Sequence, residues 1–455
     1  MIPVGMIETR NQWTAFTVES VNDDLLFHVV PVHDGIHSAV NLPCILFIRN
    51  LTKKRTFYYA FDHPDVKTPK DVLPQEVISI LSDMRGKKWA VDKKSFMHMV
   101  PVKGVLDVGF AEYVRENTVF DLGEFETNAH TLIRRNFSGK PGFGKFIPLM
   151  KHLEAFTELS ECCEKIIKKA HVDDAMRAFN EFVIEPLMET EQQGIKVDPE
   201  AFGEHFEGIP TTNGKVYTQY FFYTSTGRPS NRFGGINYAA LNKDDGSRRA
   251  FVSKFGQNGK LVLIDYSTFH PRILGFLTGY QLPLDVDIYE YLAKLYFNKT
   301  IVDEMDIADA KKITFRQFFG GVEEKYSHIK YLAHMKSFID THWHFFNEHG
   351  YVETPFFKRK ITAKHIQQPK PATVFNYIMQ ASEGEISIPV LGQVNQFLRD
   401  KQTKAVLYTY DSILLDCCLD DGPILLSVQN IMSLDGKFPM KIYVGDNYHD
   451  MELWG

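Results

Sequence analysis

Residues 261–274 read LVLIDYSTFHPRIL. An apolar run, Leu261-Val262-Leu263-Ile264, ends on Asp265. Such a run reads as a buried strand. A carboxylate at its end is held at the mouth of a core, where it can grip a metal ion. A second stretch of this design lies 146 residues on: Ala405-Val406-Leu407-Tyr408-Thr409-Tyr410 leads to Asp411, and Ile413-Leu414-Leu415 follows. Two strand-end aspartates can share a pair of Mg²⁺ ions, which clamp the attacking and leaving oxygens of an in-line phosphoryl displacement. A lone strand-end aspartate is more often a plain surface residue, so the reading rests on what stands between and around these two.

The chain has 455 residues, enough for about two or three domains. Its 44% hydrophobic and 24% charged content is that of an ordinary globular protein. The 36 Phe and 20 Tyr serve mostly a large core and leave some rings for stacking on bases. A net charge of −6 argues against wholesale coating of nucleic acid but permits a basic groove on an acidic body. The five cysteines are Cys44, the neighbours Cys162 and Cys163, and the neighbours Cys417 and Cys418. An odd count without C-x-x-C spacing is expected to mean free thiols in a reducing compartment and no zinc site. No signal peptide is legible, and no apolar run reaches membrane-spanning length. The expectation is a cytoplasmic protein with no membrane partner.

Residues 1–136 alternate strand-like runs, at 25–30, 45–48, 56–60 and 88–91, with a helical stretch at 74–84. This is α/β patterning. A turn-rich segment at 137–145 reads as a loop. From about 146 to 190 the pattern is helical, with Asp173 and Asp174 placed to cap a helix through Met176, Phe179, Phe182 and Val183. Asn213-Gly214 signals a turn, and 216–223 reads as a strand running into Thr226-Gly227-Arg228-Pro229-Ser230. Helix is expected after Asp265 and through 287–293, then over 306–319, 327–349 and 372–398, with closing strands around Asp411 and at 440–444. On the 306–319 helix Lys311, Phe315 and Phe319 are spaced by four and share one face. A cation followed by two rings suits a triphosphate and a base, although alone it fits a half-buried helix with a solvated lysine as well.

The ordered set of these elements resembles the family A DNA polymerases, the group of bacterial DNA polymerase I and its phage relatives. Asp265-Tyr266-Ser267 with Arg272-Ile273-Leu274 is similar to motif A. Lys311-x-x-x-Phe315-x-x-x-Phe319-Gly320 is similar to motif B, and Tyr410-Asp411-Ser412 to motif C. Thr226–Ser230 resembles the T-G-R element before motif A. Asn376-x-x-x-Gln380 resembles the palm-helix pair that reads the minor groove. Gly350-Tyr351-Val352-Glu353-Thr354 and Gly445-Asp446-Asn447-Tyr448 resemble two further family segments. All occur in family order over roughly the last 270 residues.

The resemblance implies an α+β fold: a right-hand palm with an antiparallel sheet and helical fingers, preceded by an α/β ribonuclease H-like, 3′–5′ exonuclease-like domain. It implies a template-directed DNA polymerase in replication or repair that adds dNTPs to primed DNA. Two Mg²⁺ ions would be the cofactor, with Mn²⁺ able to substitute. Asp265, Asp411 and the carbonyl of Tyr266 would hold the metals. Lys311 would meet the phosphates. Phe315 would pack on the incoming sugar and base, with His270, Lys312 and Arg316 also at the nucleotide. Arg228, Arg272, Phe319, Gly320, Asn376, Gln380 and Tyr410 would contact DNA, some at minor-groove positions shared by all correct pairs.

The chain departs from the family at several points. His270 stands where the family has a glutamate that blocks the ribose 2′-hydroxyl. Ile307 replaces an arginine before motif B, so Lys312 or Arg316 would have to substitute. Arg316 replaces a glycine, and Tyr410 and Ser412 replace His and Glu of motif C. Met188–Asp198 resembles the element before the family's thumb, but only 27 residues separate Asp198 from Thr226, too few for two long helices. An absent or vestigial thumb is expected, with low processivity unless a processivity or replisome partner assists. The exonuclease carboxylates fall near Thr17 and Glu19, near Asp92, and near 149–154 with Glu154, where the motifs are broken, so proofreading is not expected. Lys53-Lys54-Arg55 is a candidate basic contact. The expected divisions are an exonuclease-like domain at 1–160, connecting helices at 161–198, and palm and fingers at 199–455, with fingers at about 280–350. The shortness fits a divergent phage enzyme. Two rivals stay open: a single-subunit RNA polymerase-like enzyme, which His270 keeps in play, and a non-catalytic DNA-binding factor.

Overall fold

The computed structural model describes residues 4–33, 36–116, 143–231, 235–364, 366 and 368–454. Of the loop expected at 137–145, residues 137–142 lie outside the described ones. The chain forms two compact units, Met1–Met188 and Glu189–Gly455.

In the first unit the apolar runs become a six-stranded sheet. Its strands are β1 (Val4–Met6), β2 (Leu25–Pro31), β3 (Pro43–Asn50), β4 (Arg55–Ala60), β5 (Lys88–Ala90) and β6 (Val105–Asp107), ordered β1-β4-β3-β2-β5-β6. β2, β3 and β4 run antiparallel, whereas β5 lies parallel to β2 and β6 parallel to β5. The strands are apolar almost throughout because both faces are covered. Phe27, Val29, Leu46 and Ile48 pack with Trp13 and Phe16 of α1 (Arg10–Ser20), Val77 and Leu81 of α2 (Pro74–Asp83), and Phe96 of α3 (Lys93–Met99). The alternate residues, Val30, Ile45 and Phe47, meet Leu153 and Phe156 of α4 (Leu149–Lys169) on the opposite face.

Three sequence expectations are corrected or narrowed here. Thr17 and Glu19 lie on α1, a helix closed by a Thr9–Gln12 capping box, and not on a strand. The two central strands are β3 and β2, and neither includes a carboxylate. Glu19 instead pairs with Arg55 at 2.7 Å, Asp92 caps α3 by accepting from the Ser95 amide, and Glu154 pairs with Lys151. The Lys53-Lys54-Arg55 run is neutralised by Asp23, Glu164 and Glu19. The five cysteines are unbridged, and burial pushes the Cys44 and Cys417 thiols up to about 12.

The second unit is built on a five-stranded antiparallel sheet. A short antiparallel pair precedes it, β7 (Ile195–Lys196) and β8 (Lys215–Val216), and Asn213 and Gly214, both with positive φ, make the tight turn that bridges Thr212 to Lys215. Helix α5 (Pro199–His205) lies between these strands. The main sheet runs through β9 (Gly259–Tyr266), β12 (Lys404–Thr409), β13 (Ser412–Cys418), β14 (Met440–Gly445) and β15 (Met451–Leu453), ordered β12-β13-β9-β14-β15. A separate pair, β10 (Tyr351–Glu353) and β11 (Lys360–Thr362), forms a hairpin. The strand expected over 216–223 ends at Val216. Beyond it only Phe221 bridges Ser230, because Tyr220 turns its amide to Glu191 and its hydroxyl to the backbone of Tyr408.

Among the described residues six longer helices complete this unit: α6 (Phe269–Thr278), α7 (Ile288–Phe297), α8 (Glu304–Gly320), α9 (Lys330–His349), α10 (Pro371–Phe397) and α11 (Leu425–Ser433). Helix α10 is buried along most of its length and touches α6, α8, α9 and α11. A helix apolar on every side belongs in a core, and this one is the spine on which the others converge. Among the described residues no helix is long and apolar enough to cross a membrane.

Candidate active site

The alternation of β9 places Asp265 on the same face as Leu261 and Leu263. Leu261 is fully buried in a cluster with Val406, Leu407 and Leu414, and Leu263 packs against that cluster. Asp265, next along the face, lines a cavity of about 450 Å³. Register does the rest. Asp265 lies opposite Ser412 on β13 and opposite Lys441 on β14. The turn Tyr410-Asp411 between β12 and β13 therefore brings Asp411 beside it, fastened by the Tyr266 amide donating to the Asp411 carbonyl at 3.0 Å. Tyr410 makes that turn with φ 60°.

Past β9 the chain turns into α6 through Thr268, whose φ of 55° puts a β-branched residue in the left-handed region. That is a genuine backbone outlier, and such strain tends to mark functional sites. The turn is held by Tyr266, whose ring stacks on Phe269 and whose hydroxyl donates to the Met432 carbonyl. It delivers His270 to the cavity wall.

Helix α8 starts at a capping box of Asp303 and Asp306 and buries Ala310, Thr314, Gln317 and Phe318. Its other face carries Lys311, Phe315 and Phe319 into the cavity. The two rings stack at 5.9 Å, nearly parallel, although Phe315 is 45% and Phe319 54% exposed. Two large rings left open on one face, at a cavity mouth, are not explained by core packing. Tyr289 of α7 extends the ring face, stacking near Phe315 and lying 5.8 Å from the Lys311 ammonium.

The Thr226–Ser230 element forms a locked turn. Gly227 has φ 75°, and the Thr224 hydroxyl donates to the Arg228 carbonyl. Arg228 lies 3.6 Å over the Tyr410 ring and 2.8 Å, through Nε, from Oε2 of Glu383 on α10. Of the residues expected at the site, Asp265, Tyr266, Asp411, His270, Lys311, Phe315, Phe319 and Arg228 line one cavity, with Tyr410 directly beneath Arg228.

The others do not reach it. Arg272 is buried and donates to the Ser267 and Pro283 carbonyls, which braces α6. Arg316 pairs with Glu323, and Lys312 with Asp309, both exposed and away from the cavity lining. Gly320 ends α8 in open space. Asn376 and Gln380 sit half-buried on α10, outside the cavity, and the Asn376 amide donates to the Ala372 carbonyl.

Sequence reasoning missed Glu383, Lys441 and Tyr289, which also line the cavity. Glu383 did leave a signal. It follows Asn376 and Gln380 by seven and three residues, on the same helical face, amid small and apolar neighbours that a charge would otherwise avoid. Lys441 and Tyr289 left none, since only the sheet register and helix packing bring them in.

Burial, then the neighbouring Asp411, pushes the Asp265 carboxyl up to about 7, against the pull of Lys243 and Lys441. Burial and then Glu383 also raise Asp411. Buried carboxylates set this close to other carboxylates resist ionising unless a cation stands nearby. The donor set fits a particular kind of metal site. Among the described residues no group of three or more His, Cys, Asp or Glu closes a complete shell. Two carboxylates and a backbone carbonyl suit an oxygen-seeking ion that keeps waters and takes further oxygens from its substrate.

No family model matches the chain. A curated relative, DNA polymerase I of Chloroflexus aurantiacus (strain ATCC 29366 / DSM 635 / J-10-fl), is 23% identical over 279 residues. The match takes in 52% of this chain and 29% of that protein, so the chain spans less than a third of the relative's length. Among solved structures, the POL domain of Pol1 from M. smegmatis, in complex with DNA primer-template and dNTP, superposes with a TM-score of 0.72 at 14% identity, over 98% of this chain and 99% of that one. Likeness along nearly the whole chain leads to one assignment: the fold of this chain is that of the POL domain of Pol1.

Proposed function

We propose that the chain is a template-directed DNA polymerase that adds dNTPs to a primer 3′ end. The observation that carries this is the convergence of Asp265, Asp411, Lys311, Phe315 and Phe319, from three distant segments, on one cavity wide enough for a nucleotide. Asp265 and Asp411, with the Tyr266 carbonyl, would hold two Mg²⁺ ions, and Mn²⁺ would substitute. When bound, such a pair lowers the pKa of the primer hydroxyl and offsets charge on the triphosphate.

The chain's own side chains supply the remaining work. Lys311 offers its ammonium to the phosphates and to the departing pyrophosphate. Phe315 gives the incoming sugar and base a flat apolar wall, and Phe319 continues it toward the template base. Arg228 is held in place by Tyr410 and Glu383 and presents a guanidinium at the cavity edge. Asn376 and Gln380, on the Glu383 face of α10, would meet the minor groove of the primer–template. Among the described residues, the cations lining the cavity are Arg228, Lys311 and Lys441. With Lys312 and Arg316 engaged elsewhere, Lys441 joins Lys311 as a candidate for the charge that Ile307 cannot provide.

The domain assignments belong to the same proposal. The first unit is read as an exonuclease-like domain without proofreading chemistry. The thumb is read as vestigial: between Asp198 and Thr226 the only helix is the seven-residue α5. A phage replication or repair role in the cytoplasm, with a processivity partner, fits this economy.

Primer extension with Asp265→Ala and Asp411→Ala tests the central reading. Each is expected to lose extension by about a thousandfold or more, the scale of removing a principal electrostatic element of catalysis. Wild-type extension by both variants in Mg²⁺ would sink it.

A further inference from the structure

Glu383 sits in the middle of α10 with its side chain 2% exposed, yet it lines the cavity. Its Oε2 is 2.8 Å from Arg228 Nε and 3.3 Å from His270 Nε2, and its Oε1 accepts from an Arg228 Nη at 3.3 Å. The two Oε2 contacts are close without being aligned as hydrogen bonds, so they are electrostatic. A carboxylate this deep persists only when paired. Arg228 already supplies the full counter-charge, so the imidazole is not needed to neutralise it. What the contact adds is an anchor for His270. A carboxylate 3.3 Å away attracts a ring N–H electrostatically and so favours the ring orientation that keeps Nε2 toward Glu383.

His270 needs such an anchor. It is the second residue of α6, directly after the strained Thr268, and its side chain is 25% exposed at the cavity wall. A ring free to rotate there would yield to an extra hydroxyl on a bound sugar. Discrimination against a larger ligand by clash requires a wall that does not give way.

We infer that Glu383 is a positioning residue for sugar selection: by pinning His270 against the cavity, it makes the imidazole a rigid barrier to a ribonucleotide's 2′-hydroxyl. The inference rests on the polymerase reading above.

The test is single-nucleotide incorporation by the full chain, comparing kcat/KM for a dNTP with that for the matching rNTP. Wild type is expected to favour the dNTP. Glu383→Gln and Glu383→Ala are expected to lower that preference roughly tenfold to hundredfold, the scale of losing a charge-assisted contact. The change should fall mainly on the KM for the rNTP. His270→Ala should lower the preference similarly, and its combination with Glu383→Gln should lower it little further, since the two act as one unit. A merely structural Glu383 would depress both nucleotides alike and leave the ratio unmoved. That outcome, or a raised ratio, overturns the inference while the polymerase reading stands. If circular dichroism shows that the Glu383 variants fail to fold, His270→Ala decides, and an unchanged ratio there overturns it equally. Absence of any extension by wild type, or a preference for rNTPs, removes the DNA polymerase reading and this inference with it.

Discussion

At the residue scale, Asp265 joins folding to chemistry. Its carboxyl has a pKa near 7 in the folded chain and near 3.9 in an unfolded one. A raised folded pKa means that this group's contribution to stability is full below about 4 and is lost as the pH rises through about 7. Asp411 is raised as well and acts with the same sign. On the proposed metal assignment a divalent cation would reverse the balance, because it would bind the ionised pair and release protons on binding. The increase in melting temperature produced by Mg²⁺ is therefore expected to be small at pH 6 and larger at pH 8. Extension should rise through about pH 7, with the midpoint moving down as Mg²⁺ is increased. Calorimetry across that range checks this, and a Mg²⁺ effect independent of pH would count against the two carboxylates as the binding pair. The departures from the family also resolve at this scale. His270 faces Glu383, while Arg316 and Lys312 are engaged by nearby carboxylates.

At the element scale, the site depends on how β9 is embedded and how the Thr226–Ser230 turn is closed. Ile264 is fully buried between β13 and β14 and points away from Asp265. Ile264→Ala is expected to cost about 2–5 kcal/mol through lost burial and the cavity left behind. Gly227, at φ 75°, tolerates a side chain poorly, and an added Cβ would approach an Arg359 guanidinium nitrogen at 3.1 Å. Gly227→Ala should cost about 1–2 kcal/mol and shift the arginine that follows it. Urea unfolding of both variants measures this. A Gly227→Ala protein as stable as wild type would mean that the turn is free to rearrange. Helix α10 carries Asn376, Gln380 and Glu383 at a spacing that aligns them, so one helix can serve both DNA and sugar selection.

At the scale of the whole molecule, each unit has its own consequence. The first unit has the layered sheet of an α/β domain, but its two central strands lack carboxylates, and the candidates Glu19, Asp92 and Glu154 are used in pairing or capping. A mismatched primer terminus is therefore expected to persist on incubation with Mg²⁺ and no dNTP, and steady loss of the terminal nucleotide would contradict the assignment. Between Asp198 and Thr226 the described chain forms one helix, α5, which underlies the proposal of a vestigial thumb. With a DNA trap present, extension should stop within a few nucleotides of each binding event. Long products under those conditions would mean that another surface grips the duplex.

Much of this was legible in the chain itself. Apolar runs ending on Asp265 and Asp411 fixed the two strands, because burial of such runs leaves a terminal carboxylate little choice of position. Spacing by four put Lys311, Phe315 and Phe319 on one helical face, as helix geometry requires. Local signals of this kind are carried by residues near one another in sequence. They could not tell a strand from an extended segment at 217–223, or a strand from a helix around Glu19, where backbone partners and a capping box decide. They also could not say that Arg272 braces α6, that Lys441 stands beside Asp265, or that Glu383 closes on His270 and Arg228. The last two facts depend on sheet register and on helix packing between residues more than a hundred positions apart. A carboxylate's neighbours across such a distance are set by tertiary structure alone.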